Sequence, residues 1–227
     1  GKIELNSSSD NGKTFSCAIG GPILNSLSFR LAASKHSQDG FRKNIFLNRE
    51  DTNSKNESFL RTKFCWQPLK SFSLFFTNFT SNQNNNYDAW APNNNKEFIT
   101  YTNRLGKDSQ KSNTNAIKID FKELFGFNTL YKYSNTTIDI IHSYDSDWGN
   151  DTYWFEEHGF DPSIEGWSYD YFDQTNRIKK IITNELIINS NKIIKLPFNT
   201  NFVIGFYSSN SSQTDNASGW LFGGDAT

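Results

Sequence analysis

The chain has 227 residues, among them no Met, two Cys, five Pro and three His. Each shortage removes a class of explanation. A chain without Met is expected to be a processed or excised piece of a longer one. Two cysteines, Cys17 and Cys65, are a poor disulfide framework for this length. With no C-x-x-C and no H-x-x-x-H they make no zinc set, and they read as isolated thiols on strands. The histidines are His36, His142 and His158, and there is no G-x-S-x-G and no H-E-x-x-H. The run Glu156-Glu157-His158 contains an acid and a base, but neighbours on an extended chain point apart, so it reads as solvated loop. No enzymatic activity and no cofactor are expected. No run of about 18 apolar residues exists, so no transmembrane helix is expected. Residues 1–20 are polar and hold no signal peptide. The net charge of −1 gives no argument for a nucleic-acid partner.

What is present is aromatic and polar. Hydrophobic residues make up 35% of the chain, against ~45–50% in an ordinary soluble domain. Yet 16% of the residues are aromatic, with 21 Phe and 9 Tyr, so the apolar content is concentrated in rings. Helix signals are weak, and apolar residues recur with the period of two that marks a strand. Leu27, Phe29, Leu31 and Ala33 alternate with Ser28, Arg30 and Ser34. Leu60, Phe64 and Trp66 oppose Arg61, Lys63 and Gln67. Phe72, Leu74 and Phe76 share a face. Ile117, Ile119 and Phe121 oppose Lys118, Asp120 and Lys122. Ile138 and Ile140 oppose Asp139 and Ser143. Ile178, Ile182, Leu186 and Ile188 oppose Arg177, Lys179, Thr183 and Glu185. Phe202, Ile204 and Phe206 oppose Val203, Gly205 and Tyr207. A first strand around Lys13–Ile19 is less regular.

The connections alternate in length. Residues 22–25, 67–70 and 123–127 are tight. Residues 36–57, 82–113 and 146–173 are long and polar. Ser134-Asn135 reads as a bulge inside one long strand over residues 127–145, since a bulge adds a residue without reversing the chain. That gives about eight strands. Short turns at one end and long polar loops at the other are the pattern of an outer-membrane barrel, with its apolar face to lipid and its polar face to a wet lumen. The predicted class is therefore all-β: an antiparallel up-and-down transmembrane β-barrel, partial, about eight strands of a larger barrel. On this reading Arg30, Arg61, Lys63, Lys118, Asp120, Lys122, Asp139, Arg177 and Glu185 fall on the polar, lumen-facing side. Lys180 falls on the apolar side near the loop end, where its stem can snorkel. His142 falls on the apolar side without an explanation.

Several stretches carry a resemblance. GPILNSLSFRLAASKHSQDGFRKN and ESFLRTKFCWQPLKSFSLFFT look like consecutive hairpins, with Arg61, Trp66 and Pro68 in order. NNNYDAWAPNN resembles a Tyr-Asp-aromatic loop. YFDQTNRIKKIITNELIINSN followed by FVIGFYSSN is similar to a strand pair in which Arg177 precedes an inward Glu185. Together they resemble the barrel of TonB-dependent outer-membrane receptors, which import iron–siderophore complexes, cobalamin and some carbohydrates. The resemblance implies that residues 1–227 are an internal part of the barrel, lacking the plug domain and the C-terminal strands. It implies a Gram-negative outer-membrane location and transport of a scarce nutrient, foremost a ferric siderophore. The implied partners are outer-membrane lipid, the TonB complex reached through the missing plug, and a small-molecule ligand such as a metal chelate.

The loops hold the candidate binding residues. Tyr87, Trp90, Trp148, Trp154 and Trp167 are aromatic side chains that can stack on a flat ligand or a sugar face, or pack the loops together. Asp145, Asp147 and Glu156 loosely match a calcium loop, although Gly149 and Asn150 stand where an oxygen ligand and a glycine belong. Two alternatives remain: a secreted glycan-binding β-sandwich or adhesin module, and a passive porin. A sandwich would place turns every ~8–12 residues at both ends.

Overall fold

The computed structural model describes residues 1–190, 194–195, 199–221 and 225–226. The elements in chain order are β1 (Lys2–Ser8), β2 (Gly12–Leu24), β3 (Leu27–Gln38), β4 (Lys43–Asn44), β5 (Lys55–Leu69), β6 (Phe72–Tyr87), β7 (Ile99–Thr100), β8 (Gly106–Leu124), β9 (Phe127–Asp145), α1 (Asp151–His158), α2 (Pro162–Glu165), β10 (Phe172–Ser190), β11 (Ile194–Lys195), β12 (Asn199–Thr200), β13 (Val203–Leu221) and β14 (Asp225–Ala226). One sheet holds β1-β2-β3-β5-β6-β8-β9-β10-β13-β14 in that order. Every pairing within it is antiparallel. The expected up-and-down all-β architecture is therefore observed. Among the described residues the sandwich alternative lacks its second sheet: the other two sheets are pairs of two-residue strands.

Three sequence expectations need correction. The strand β1 precedes the first expected one; Ile3 and Leu5 alternate with charged and polar neighbours, but seven residues give a weak signal. No bulge occurs at Ser134-Asn135. Asn135 pairs in unbroken register with Asn115 and Ile182, and the shift on this ladder lies at the turn, between Phe121 and Leu124. The long loops are shorter than expected, because β6 runs on to Tyr87 and β8 begins at Gly106. The Asn-rich run at 82–87 and the polar run at 106–113 are strand. Their amides bond laterally: Asn85 Nδ2 donates to Glu57 Oε1 at 2.9 Å and Asn86 Nδ2 to Ser54 Oγ at 2.9 Å.

Directly paired residues share a face, so register sorts the side chains. One face carries Ile3, Leu5, Phe15, Ile19, Leu31, Leu60, Phe64, Trp66, Ile117 and Phe206, all exposed large hydrophobics. Tyr153 is the one hydrophobic residue buried among the described residues. The sheet thus has an apolar surface but no apolar core.

The upper edge of that surface is not level. On β1 and β2 it reaches Leu5 and Phe15, which pair. On β3 and β5 it stops one step (two residues) lower, at Ala33 and Leu60, which pair. On β6, β8 and β9 it stops two steps lower again, at the row Phe76, Ile117 and Tyr133, with Asn78, Asn115 and Asn135 above it. On β13 it ends at Phe206, another step down, opposite Leu186. On β10, Ile182 and Ile178 stand above this line with Lys180 between them. No charged side chain lies on this face below the line among the described residues.

Above the line both faces are mostly polar, with Ile141, Ile178 and Ile182 as exceptions on the apolar side, so alternation does not sort the faces there. Ile138 and Ile140 pair with Lys179 and Arg177, so they share the polar face. Asp139 pairs with Lys111 and Ile178 on the opposite face, contrary to expectation. His142 likewise belongs to the polar face, 3.7 Å from Asp108 Oδ1, and needs no special account.

Candidate functional site

The long connections are held by buried polar side chains rather than by a core. The parallel pair β4–β7 joins the segment 39–54 to the segment 88–105. Beneath it Asp88, 3% exposed, accepts from Asn44 Nδ2 at 3.1 Å, Thr100 Oγ1 at 2.7 Å and Thr102 Oγ1 at 3.2 Å. Asn44 Nδ2 also lies 2.9 Å from the Thr102 carbonyl. Asn44 and Thr100 are fully buried, so Asp88 is their acceptor in place of water. Sequence reasoning flagged the Tyr87-Asp88 loop but gave Asp88 no role. Isolated Asn and Thr residues in a polar loop carry no signal that could have found the rest.

A second centre ties in the segment 146–171. Asn150 Nδ2 donates to the Tyr101 carbonyl at 2.6 Å. The Asn150 side chain also caps α1 by accepting from Tyr153 N, and Gly159 ends the helix in the left-handed conformation. Asp161 and Pro162 start α2, and Gly166 ends it. These two short helices lie in what the sequence presented as loop. Asp145 Oδ2 accepts from the backbone N–H of Asn103 and Arg104 at 3.2 and 3.3 Å. Asp147 accepts from Gly149 N at 2.8 Å, Tyr171 N at 3.0 Å and Trp154 Nε1 at 3.4 Å. Arg104 forks onto Asp170 at 2.6 and 2.7 Å. Asp145 and Asp147 are 3% and 6% exposed. Burial, the Asp147 charge and a hydrogen bond shared with Asp147 push the Asp145 carboxyl up to about 8, against the pull of the two backbone donors. Burial beside Asp147 thus favours the protonated form of Asp145.

The calcium candidates do not assemble. Asp145 and Asp147 come together, but Glu156 is exposed on α1. Among the described residues no three acidic, His or Cys side chains converge as metal ligands.

The aromatic candidates divide into two groups. Trp90 and Trp148, 56% and 39% exposed, stack with ring centroids 6.0 Å apart and planes at 29°. Trp90 Nε1 donates to Tyr87 Oη at 3.0 Å, and the Tyr87 ring packs on His142 at 4.9 Å. Trp154 and Trp167 instead join a half-buried cluster, each 4.7 Å from Tyr169, with Phe160 4.6 Å from Trp167. The first group is open to a ligand and the second packs the loop.

Arg30, Arg61, Lys63, Lys118, Asp120, Arg177 and Glu185 all lie on the polar face by register. This face is concave. A hollow of about 610 Å³ runs from β3 to β13, lined by Arg30, Lys63, Phe75, Lys118, Lys132 and Glu185 among others. Lys132 Nζ lies 2.7 Å from Glu185 Oε2, and Arg177 forks onto Asp215 at 2.8 and 3.0 Å. Cys17 and Cys65 are free thiols on opposite faces of the sheet.

The fold defines a curved, antiparallel, up-and-down wall of barrel type. Among solved structures it is similar to the ferric yersiniabactin uptake receptor FyuA from Yersinia pestis, with a TM-score of 0.75 over 96% of this chain and 12% sequence identity. At that identity the likeness is one of fold. The chain spans 32% of that receptor's length. No family model and no curated protein matches the sequence. Among the described residues no helix is long and apolar enough to cross a membrane, which leaves crossing by strands open.

Proposed function

We propose that this chain is a section of the wall and extracellular loops of an outer-membrane receptor barrel, serving TonB-dependent uptake of a scarce nutrient, foremost a ferric siderophore. The observation that carries the membrane part is the slope of the apolar edge. From Leu5 to Phe206 it falls four steps, ~26 Å of strand, across strand spacings of ~4.8 Å. Over the eight spacings from β1 to β13 that is an incline of about 35°. Strands in an outer-membrane barrel tilt by ~35–45° from the membrane normal. A level hydrocarbon boundary drawn across tilted strands cuts the register at that angle. A sheet sitting on another protein layer has no reason to sort its apolar residues along such a line.

The uptake part rests on the likeness in fold to a siderophore receptor and on the loop architecture. Long loops locked together by buried polar side chains expose the Trp90–Trp148 pair at the rim. Ligand would be caught there, and the polar concave face would line the passage. The unlocking energy would come from the TonB complex through a plug outside this chain. A passive porin would share the wall but need no energy source.

The test is to express the full parent open reading frame and label intact cells with a membrane-impermeant maleimide. Asn113→Cys, above the edge, is expected to react, and Ile119→Cys, below it, to stay protected until detergent is added. Equal reaction at both positions overturns the membrane reading. A heat-modifiable band in the outer-membrane fraction, with uptake under iron limitation abolished by loss of the energy source, supports the active receptor. Uptake that persists without that source favours the porin.

A further inference from the structure

The outward, apolar face of the sheet changes character at its upper edge. One step above that edge stands Ser or Asn on β1, β5, β6, β8, β9, β10 and β13. On β2 and β3 that position is Lys13 and Lys35. Lys35 is opposite Phe15, so the two lysines are diagonal neighbours within reach of one ligand group. Both are exposed, and neither meets a carboxylate among the described residues. Lys35 Nζ donates to the side-chain oxygen of Asn56.

The other outward charges on these strands stand higher. Lys111, Lys180 and Asp139 are three steps above the edge and Lys107 is five, with Asp139 opposite Lys111. Asp145, at the top of β9, is buried under the loops. Height separates these groups. The headgroup layer on each side of a bilayer is ~5–8 Å thick. One step is ~7 Å of inclined strand and three steps are ~20 Å. Among the described strands, Lys13 and Lys35 are therefore the outward charges at headgroup depth.

Directly below them the apolar face has a gap. The row Ile3, Cys17, Ala33 and Leu60 places two small side chains between two large ones. With Ile19 and Leu31 of the next row they line an apolar hollow of about 630 Å³. On β6, β8 and β9 the uppermost apolar row is instead filled by Phe76, Ile117 and Tyr133. A free anion would use the lysines but not the hollow. A neutral lipid would use the hollow but leave two cations without a counter-charge.

We propose that the outward face of β1, β2, β3 and β5 seats one anionic membrane lipid, with its phosphate on Lys13 and Lys35 and an acyl chain in the hollow at Cys17 and Ala33. The site rests on the membrane reading of this face.

The test uses the parent protein in mild detergent, titrated with phosphatidylglycerol, phosphatidylcholine or inorganic phosphate, with retained ligand read by native mass spectrometry. Phosphatidylglycerol is expected to be retained about tenfold better than phosphatidylcholine. Lys13→Gln combined with Lys35→Gln is expected to remove that preference, and Lys111→Gln combined with Lys180→Gln to leave it unchanged. Ala33→Phe fills the hollow, keeps both lysines and is expected to weaken retention several-fold. Cys17→Leu fills it more gently and serves where Ala33→Phe gives no heat-modifiable band. Equal retention of the two lipids, inorganic phosphate held as firmly as lipid, or a preference untouched by the Lys13 and Lys35 variant or by the hollow variants overturns the proposal. Maleimide labelling of Asn113→Cys and Ile119→Cys keeps the two readings apart. With Ile119→Cys protected, a missing lipid preference counts against this site alone; equal labelling removes the membrane on which the site depends.

Discussion

Trp90 and Trp148 come from different loops, yet their rings stack with centroids 6.0 Å apart and both remain open to solvent. On the proposed reading this exposed pair is where a flat ligand would stack. Trp90→Ala is expected to reduce uptake several-fold at limiting substrate without changing receptor abundance. Trp154→Ala is expected to lower abundance instead, because that ring packs on Tyr169 and His158 and bonds Asp147. Growth under iron limitation, with quantification of the membrane fraction, separates the two effects.

Asp88→Ala should loosen the loops more than any substitution of a neighbouring loop residue. It strands the buried hydroxyl of Thr100 and leaves the Thr102 hydroxyl without an acceptor for its proton, though Asn44 still donates to it. A buried group left unsatisfied costs ~1–3 kcal/mol. Limited proteolysis is expected to cut within residues 39–54 and 88–105 in the variant at protease levels that leave the parent intact.

The buried acid Asp145 predicts a pH response of one sign. Its carboxyl is raised from the ordinary carboxylate range to about 8 in the folded protein, so the folded state holds a proton that the unfolded state has lost. Its contribution to stability is fully present below about pH 4, falls as pH rises, and is gone above about pH 8. Hydrogen exchange at the Asn103 and Arg104 amides should therefore quicken, beyond the intrinsic rate, between pH 6 and pH 9. Asp145→Asn, which cannot ionise, should flatten that response. An unchanged profile in the variant would assign the effect elsewhere.

A charge placed on the apolar face should report the slope of its edge. Ile119→Lys puts an ammonium one step below the last apolar row, where a Lys costs up to ~2–4 kcal/mol toward the bilayer midplane. Asn113→Lys, three steps up the same strand face, should cost ~0–1 kcal/mol. Urea titration of the parent protein folded into lipid vesicles measures the difference.

How much was legible follows from where water lies. Below the apolar edge, alternation assigned the faces of Leu60, Phe76, Ile117 and Leu186 correctly, because there each strand meets a different medium on each side. Above it, Ile138, Asp139 and His142 were sorted wrongly, because both faces are polar and hydrophobicity no longer encodes direction. The polar runs at 82–87 and 106–113 read as loop for the same reason, although Asn82 to Tyr87 pair residue by residue with Lys111 to Gly106. Asp145 and Asp147 stand two positions apart, so the sequence itself presents them together. Their backbone donors at Asn103, Arg104 and Tyr171 lie up to 42 positions away, beyond what local sequence carries.

The height of the strands above the apolar edge sets a distance. From Leu186 to Phe172, β10 climbs fourteen residues, ~46 Å along the strand. At the incline read from the register that is a vertical rise of ~38 Å. If the apolar face meets lipid as proposed, the long loops stand that far above the hydrocarbon layer, farther than the layer's own ~30 Å thickness.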